Sequence, residues 1–89
     1  MTKEEATERA RKDLAKRLGV DETHVSEQSV SDADFPDMAL GAASDGEMSG
    51  QMITKGWKIQ LKAGGQTYEY RGDKNQLRLS KFKGKNYKI

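Results

Sequence analysis

The chain offers very little to do covalent chemistry with. It has one imidazole, His24, and no cysteine, which excludes thiolate nucleophiles, disulfides and zinc sites of the cysteine type. Ser44 and Ser49 would each need a base beside them, and His24 stands at the start of the second expected element with no catalytic motif around it. Gly64-Gly65 and Gly72 fall in expected hairpin turns rather than between a strand and a helix, so no glycine loop is placed to cradle a phosphate. Asp32, Asp34 and Asp37, with Asp45 and Glu47 further on, carry hard oxygen ligands of the kind calcium takes. Their D-x-D-x-x-D spacing lacks the glycine and the closing Glu of an EF-hand loop. Nothing selects two of these carboxylates as an acid-base pair. The expectation is a non-enzymatic chain with no catalytic residue, no metal and no cofactor.

Binding chemistry is better represented, in two places. The stretch from Phe35 to Gln51 holds the single proline, three glycines and no period of either kind, which reads as a loop. Loops of this length in a small domain tend to be functional or disordered. Pro36 fixes one backbone angle and biases Phe35 toward an extended conformation, while Asp37 can hydrogen-bond the backbone two residues onward. One reading is structural: Phe35 and Leu40 pin the loop to the core and Asp37 caps the turn. The other makes the 35–52 loop a protein-binding surface, with Phe35 as anchor, Asp37 as turn-former or polar contact, and Met38, Leu40, Met48 and Met52 exposed, since methionines adapt to irregular partner surfaces. The loop residues expected to bind are Phe35, Asp37, Met38 and Leu40.

The second place is the basic C-terminal part. Lys58, Lys62 and Arg78 alternate out of the expected core and, with Lys81 and Lys83, make the alternative site, a sheet face for nucleic acid or another polyanion. Stacking of bases needs aromatic rings on that same face. Trp57, Tyr68 and Tyr70 fall on the other one, and lysines also serve to keep sheet edges from aggregating.

Charge is unevenly placed. Between Val20 and Gly50 there are eight acids and no Lys or Arg, and between Gln51 and Ile89 ten bases against two acids, beneath a net charge of only +2. Two readings follow, an intramolecular pairing of the segments or separate patches, of which the basic one attracts anionic partners.

The elements that must position these groups are legible in outline. Eighty-nine residues make one domain, 1–89, with a modest core. With 34% charged residues, a mean hydropathy of −0.94 and no apolar run near membrane length, no membrane insertion is expected. Thr2 and Glu5 have capping-box spacing, Ala6, Ala10, Leu14 and Leu18 form one apolar stripe, and Gly19 fits a left-handed stop, so a helix is expected over about 2–18. A strand over 25–31 is less regular, because Val25 and Val30 are an odd number apart and share a face only across a bulge. Trp57, Ile59 and Leu61 alternate with polar residues, as do Tyr68 and Tyr70, then Leu77 and Leu79. These predict meander strands over 52–62, with a bulge at Gly56, then 66–71 and 76–81. Residues 82–89 form a basic tail, either an edge strand or a frayed end. The fold class is α+β, an N-terminal helix on a three- to five-stranded antiparallel sheet in two layers. Its core is Ala6, Ala10, Leu14, Leu18, Trp57, Ile59, Leu61, Tyr68, Tyr70, Leu77 and Leu79.

Two stretches taken together carry a resemblance. Ala10-x-x-Asp13-Leu14-Ala15-x-Arg17-Leu18-Gly19-Val20, then Phe35-Pro36-Asp37-x-x-Leu40-Gly41, resembles a family of small bacterial domains of unknown function, often exported, with a D-L-A-x-R-L-G-V helix end and a W-P-D-x-S-L-G-C-P loop. Gly56-Trp57-x-Ile59-x-Leu61 and Tyr68-x-Tyr70 are similar to that family's closing hairpin. The resemblance implies the architecture and export to the periplasm or cell envelope, and no activity. The chain departs from the pattern at Phe35 (usually Trp), Ala39 (Ser or Thr), Ala42-Ala43 (Cys-Pro) and Arg71 (His), so thiol or imidazole chemistry at those positions is absent here. The first residues contain no apolar signal-peptide stretch.

Overall fold

The computed structural model describes residues 1–89. A helix, α1 (Lys3–Leu18), is followed by a 3-10 turn (Glu22–His24) and five strands: β1 (Ser26–Phe35), β2 (Thr54–Ala63), β3 (Gln66–Gly72), β4 (Leu77–Phe82) and β5 (Lys85–Lys88). The strands lie in the order β1-β2-β3-β4-β5, all antiparallel, so the sheet is a plain meander with β1 and β5 at its edges. This is the expected α+β architecture of a helix on an antiparallel sheet. No helix is long and apolar enough to cross a membrane.

Local sequence explains the helix ends. The Thr2 hydroxyl accepts from the Glu5 N–H at 3.1 Å, and the Glu5 carboxylate accepts from the Thr2 N–H at 2.7 Å. Those bonds hold the Glu5 carboxyl below its usual range and close both groups of the capping box. Gly19 closes the other end with φ +68, where a side chain would be strained.

On the face of the sheet that carries α1, a cluster of 12 buried residues forms the main core, including Leu14, Ile59, Leu61, Tyr70, Leu77 and Leu79. Tyr70 reaches across it to donate its hydroxyl to Asp13 at 2.7 Å, and Arg17 bonds the same carboxylate oxygen at 2.7 Å. Burial, and then that bond to Asp13, push the Tyr70 hydroxyl above its usual range. Leu18, Trp57 and Tyr68, expected in the core, are only partly buried against it.

Several details differ from the sequence reading or sharpen it. β2 begins at Thr54 rather than at 52, so Met52 and Ile53 belong to the preceding loop. β1 starts one residue later than expected and runs four further, to Phe35, because as an edge strand it needs only one paired side, and Asp32 and Asp34 can stay in solvent. The odd spacing of Val25 and Val30 is absorbed by a bulge between Glu27 and Ser29. No bulge occurs at Gly56, which pairs in register with Ala33. Its hydrogen is needed for another reason: a Cβ there would come 2.3 Å from the Gly72 carbonyl oxygen. The basic tail is ordered into β5, with the register shift between Leu79 and Phe82 on β4.

Candidate functional site: a strapped loop and its exposed methionines

The second face of the sheet is covered by the segment between β1 and β2, residues 36–53. Of the 16 buried apolar residues, the four outside the helix-side cluster are Phe35, Ala39, Leu40 and Ala42. Phe35 ends β1 and the other three belong to this loop. Leu40 is fully buried at φ +58, a left-handed conformation that costs a non-glycine residue about 1–2 kcal/mol. Phe35 is 3% exposed, and the Arg71 guanidinium lies 5.4 Å from its ring centre.

With so few apolar contacts, polar side chains do the fastening. Asp37 Oδ1 accepts from the N–H groups of Ala39 at 2.9 Å and Gly41 at 3.0 Å. From the sheet below, Arg71 Nη1 donates to the carbonyls of Leu40 at 3.0 Å and Gly41 at 3.2 Å. Gln76 Nε2 donates to the Met38 carbonyl at 2.7 Å and Asn86 Nδ2 to the Ala43 carbonyl at 2.9 Å. Arg78 makes the strongest tie, a two-pronged pair with Glu47 at 2.5 and 2.7 Å. The Glu47 carboxylate also accepts from the Ser44 N–H at 3.0 Å. Arg78, and then the Ser44 N–H, hold the Glu47 carboxyl down at about 2. No buried side-chain polar atom is left without a partner.

The structure therefore corrects two expectations about exposure. Leu40 and Phe35 are buried and pin the loop, as in the structural reading, so neither is free to anchor a partner. Arg78 is 3% exposed beneath the loop and does not belong to an open basic face. Lys62, Lys81 and Lys83 are exposed and Lys58 is half-buried, but without Arg78 the alternative site loses its centre. Asp37 works inside the loop as turn-former. The acidic middle segment pairs with bases outside it: Asp32 with Lys3, Asp34 with Lys55, Asp45 with Lys85 and Glu47 with Arg78. Its carboxylates are dispersed, and no three metal-ligating side chains converge.

What the strapped loop presents outward is apolar. Five large hydrophobic residues are exposed in the whole molecule, and four lie in or beside this loop: Met38 at 51%, Met48 at 95%, Met52 at 65% and Ile53 at 75%. Met38 N–H donates to the Gly50 carbonyl at 2.9 Å and draws the two ends of the loop together. Beside Met38 opens a cleft of about 810 Å³, whose lining includes Trp57, Asp32, Asp34, Lys55 and Gln76. Sequence reasoning missed Trp57 and Ile53 as surface groups. The alternation of β2 gives no sign that α1 leaves Trp57 half open, and Ile53 reads as the upstream end of a strand.

Residues 7–80 match the family described as Domain of unknown function (DUF8738). The chain belongs to that family. The match runs from the first turns of α1 to Ser80 in β4 and takes in the strapped loop with Arg71, Gln76 and Arg78; of the side chains that fasten the loop to the sheet, Asn86 lies beyond it. No curated protein and no solved structure matches the chain.

Proposed function

We propose that this domain is a small non-enzymatic binding module that contacts a protein through the loop between β1 and β2. The surface differs from the one the sequence suggested: Met38, Met48, Met52 and Ile53 make the contact, with the Trp57 cleft beside them, while Phe35, Asp37 and Leu40 hold the loop in shape. The observation that carries this reading is that exposed apolar side chains are concentrated on one segment whose backbone is fastened by charged side chains. A loop already held in one shape loses little further entropy on binding, and methionine side chains adapt to a partner's relief. Export, implied by the family resemblance, belongs to the same proposal, and the codons upstream of Met1 test it.

The experiment is a partner capture from lysate and envelope extract of the source cells across a salt series, comparing the native chain with a Met48→Ser/Met52→Ser/Ile53→Ser variant. The proposal expects a discrete protein that survives high salt on the native chain and is lost on the variant. If both chains retain only nucleic acid or another polyanion that high salt removes, the exposed lysines, Lys81 and Lys83 foremost, are the site and the loop is structural.

A further inference from the structure

The two edges of the sheet are treated differently. β5 is four residues long, carries Lys85 and Lys88, and follows Lys81 and Lys83. Short length and lysine are the usual devices that stop an edge from recruiting another strand. β1 has neither of these two; its one interruption is the bulge between Glu27 and Ser29, and from Ser29 to Phe35 the edge runs in regular register. It is ten residues long, contains no lysine and no proline, and pairs only with β2. In an antiparallel ladder alternate residues of such a strand turn their N–H and C=O groups outward, and nine of the ten residues of β1 are exposed or half-buried.

Its charge has one sign and one side. The acids of β1 are Glu27, Asp32 and Asp34, and there is no Lys or Arg between Val20 and Gly50. The register sets Glu27 opposite Leu61, Asp32 opposite Trp57 and Asp34 opposite Lys55, with Val30 opposite Ile59. All three carboxylates therefore stand on the helix-side face of the edge. The bases that face them from within the molecule are Lys3, 3.0 Å from Asp32, and Lys55, 4.0 Å from Asp34. Both pairs are open to water, the aspartate side chains being 81% and 64% exposed. A second β1 lying antiparallel on this edge would set acids against acids, which disfavours a symmetric dimer here. The far end of β1 leads directly into the strapped loop, and Phe35 pairs with Thr54, the residue after exposed Ile53.

We infer that the free edge of β1 takes up an extended basic segment of another protein by strand addition, with Lys or Arg at alternate positions lying beside Glu27, Asp32 and Asp34. Main-chain bonds supply the docking and the one-sided carboxylates select the sequence. The inference rests on the protein-binding reading above and names the chemistry of the partner. The exposed Ile53 and Met52 then meet whatever apolar residue the segment carries at its end.

The test is a titration of the isotope-labelled chain with a synthetic peptide of about ten residues, matching β1, that alternates Lys and Thr, against a control that alternates Glu and Thr. The expected result is slowed amide exchange and shift changes along Ser26–Phe35 with the Lys peptide and none with the control. An Asp32→Lys/Asp34→Lys variant should bind the Lys peptide about tenfold more weakly and gain affinity for the Glu peptide. If the reversed charges disturb folding, Asp32→Asn/Asp34→Asn gives the same weakening without the gain. Equal binding of the two peptides, shifts confined to β5 or to residues 36–53, or dimerisation of the chain through β1 without peptide overturns the inference. Because the Met48→Ser/Met52→Ser/Ile53→Ser variant leaves β1 untouched, loss of partner on that variant and loss of peptide on the aspartate variants report separately on the two surfaces.

Discussion

The two faces of this sheet are closed by different physics. On one side α1 lays a stripe of Ala6, Ala10 and Leu14 on Ile59, Leu61, Tyr70, Leu77 and Leu79, and burial of apolar area supplies the stability. On the other side an irregular segment that buries only three apolar residues, next to Phe35 at the end of β1, lies across arginine, glutamine and asparagine side chains that bond its carbonyls. A helix satisfies its own backbone and can rest on an apolar surface. A loop cannot, so each carbonyl turned inward needs a donor from the sheet below it. The difference teaches why Arg71 and Arg78 stand where a two-sided apolar sheet would have Val or Ile. It also explains how a segment with so little core keeps methionines pointing outward.

Breaking the first face should have the largest effect. Ile59→Ala removes a fully buried side chain and is expected to cost about 2–5 kcal/mol, enough to unfold a domain this small, as read from denaturant melts. Breaking the second face should cost less and act locally. Arg78→Ala takes both guanidinium bonds from the Glu47 carboxylate, which keeps only Ser44, and removes the donor to the Ala42 carbonyl, a loss of about 1–3 kcal/mol. Arg78→Lys should recover only part of it, because an ammonium cannot reproduce the two-pronged pair.

Acid should separate the faces as well. Glu47 has a folded-state value near 2 against an ordinary 4.5. Its stabilisation is thus complete above about pH 4.5 and fades as pH falls toward 2. Loop signals followed by NMR should broaden or shift over that interval before those of the helix-side core residues Ile59, Tyr70 and Leu79 change. The smallest effect on stability is expected from Met48→Ser/Met52→Ser/Ile53→Ser, within about 0.5 kcal/mol per site, with the loss appearing in partner capture instead.

How much of this could be read from the sequence divides along the same line. The helix with both caps, the hairpin at Gly64-Gly65 and the alternating strands follow from local rules, and they recur in the structure nearly to the residue. Local rules also favour Asp37 as turn-former. The strap does not follow from them, because it joins residues far apart in the chain, Arg78 to Glu47 and Asn86 to Ala43. The acidic segment without Lys or Arg, set against a basic C-terminal part, was its only trace, and three ion pairs between the two, from Lys55, Arg78 and Lys85, support the intramolecular reading of that imbalance. Alternation marks Arg78 as facing away from the main core. It says nothing of the loop that covers that face, so the residue reads as open. Leu40 reads both ways, as a pin to the core or as an exposed contact, for the matching reason: no periodicity decides for a loop residue, and the structure buries it in a left-handed conformation.

The central claim, that polar bonds hold the loop independently of the helix-side core, is tested most directly by residue-resolved amide exchange on the native chain and on Arg78→Ala. The account predicts that the protected loop amides of Met38, Leu40, Ala42 and Glu47 lose protection in the variant, while Ile59, Tyr70 and Leu79 keep theirs at nearly the native level. A uniform fall across both sets would show one cooperative core, and unchanged loop amides would show that Arg78 fastens nothing; either result contradicts the account.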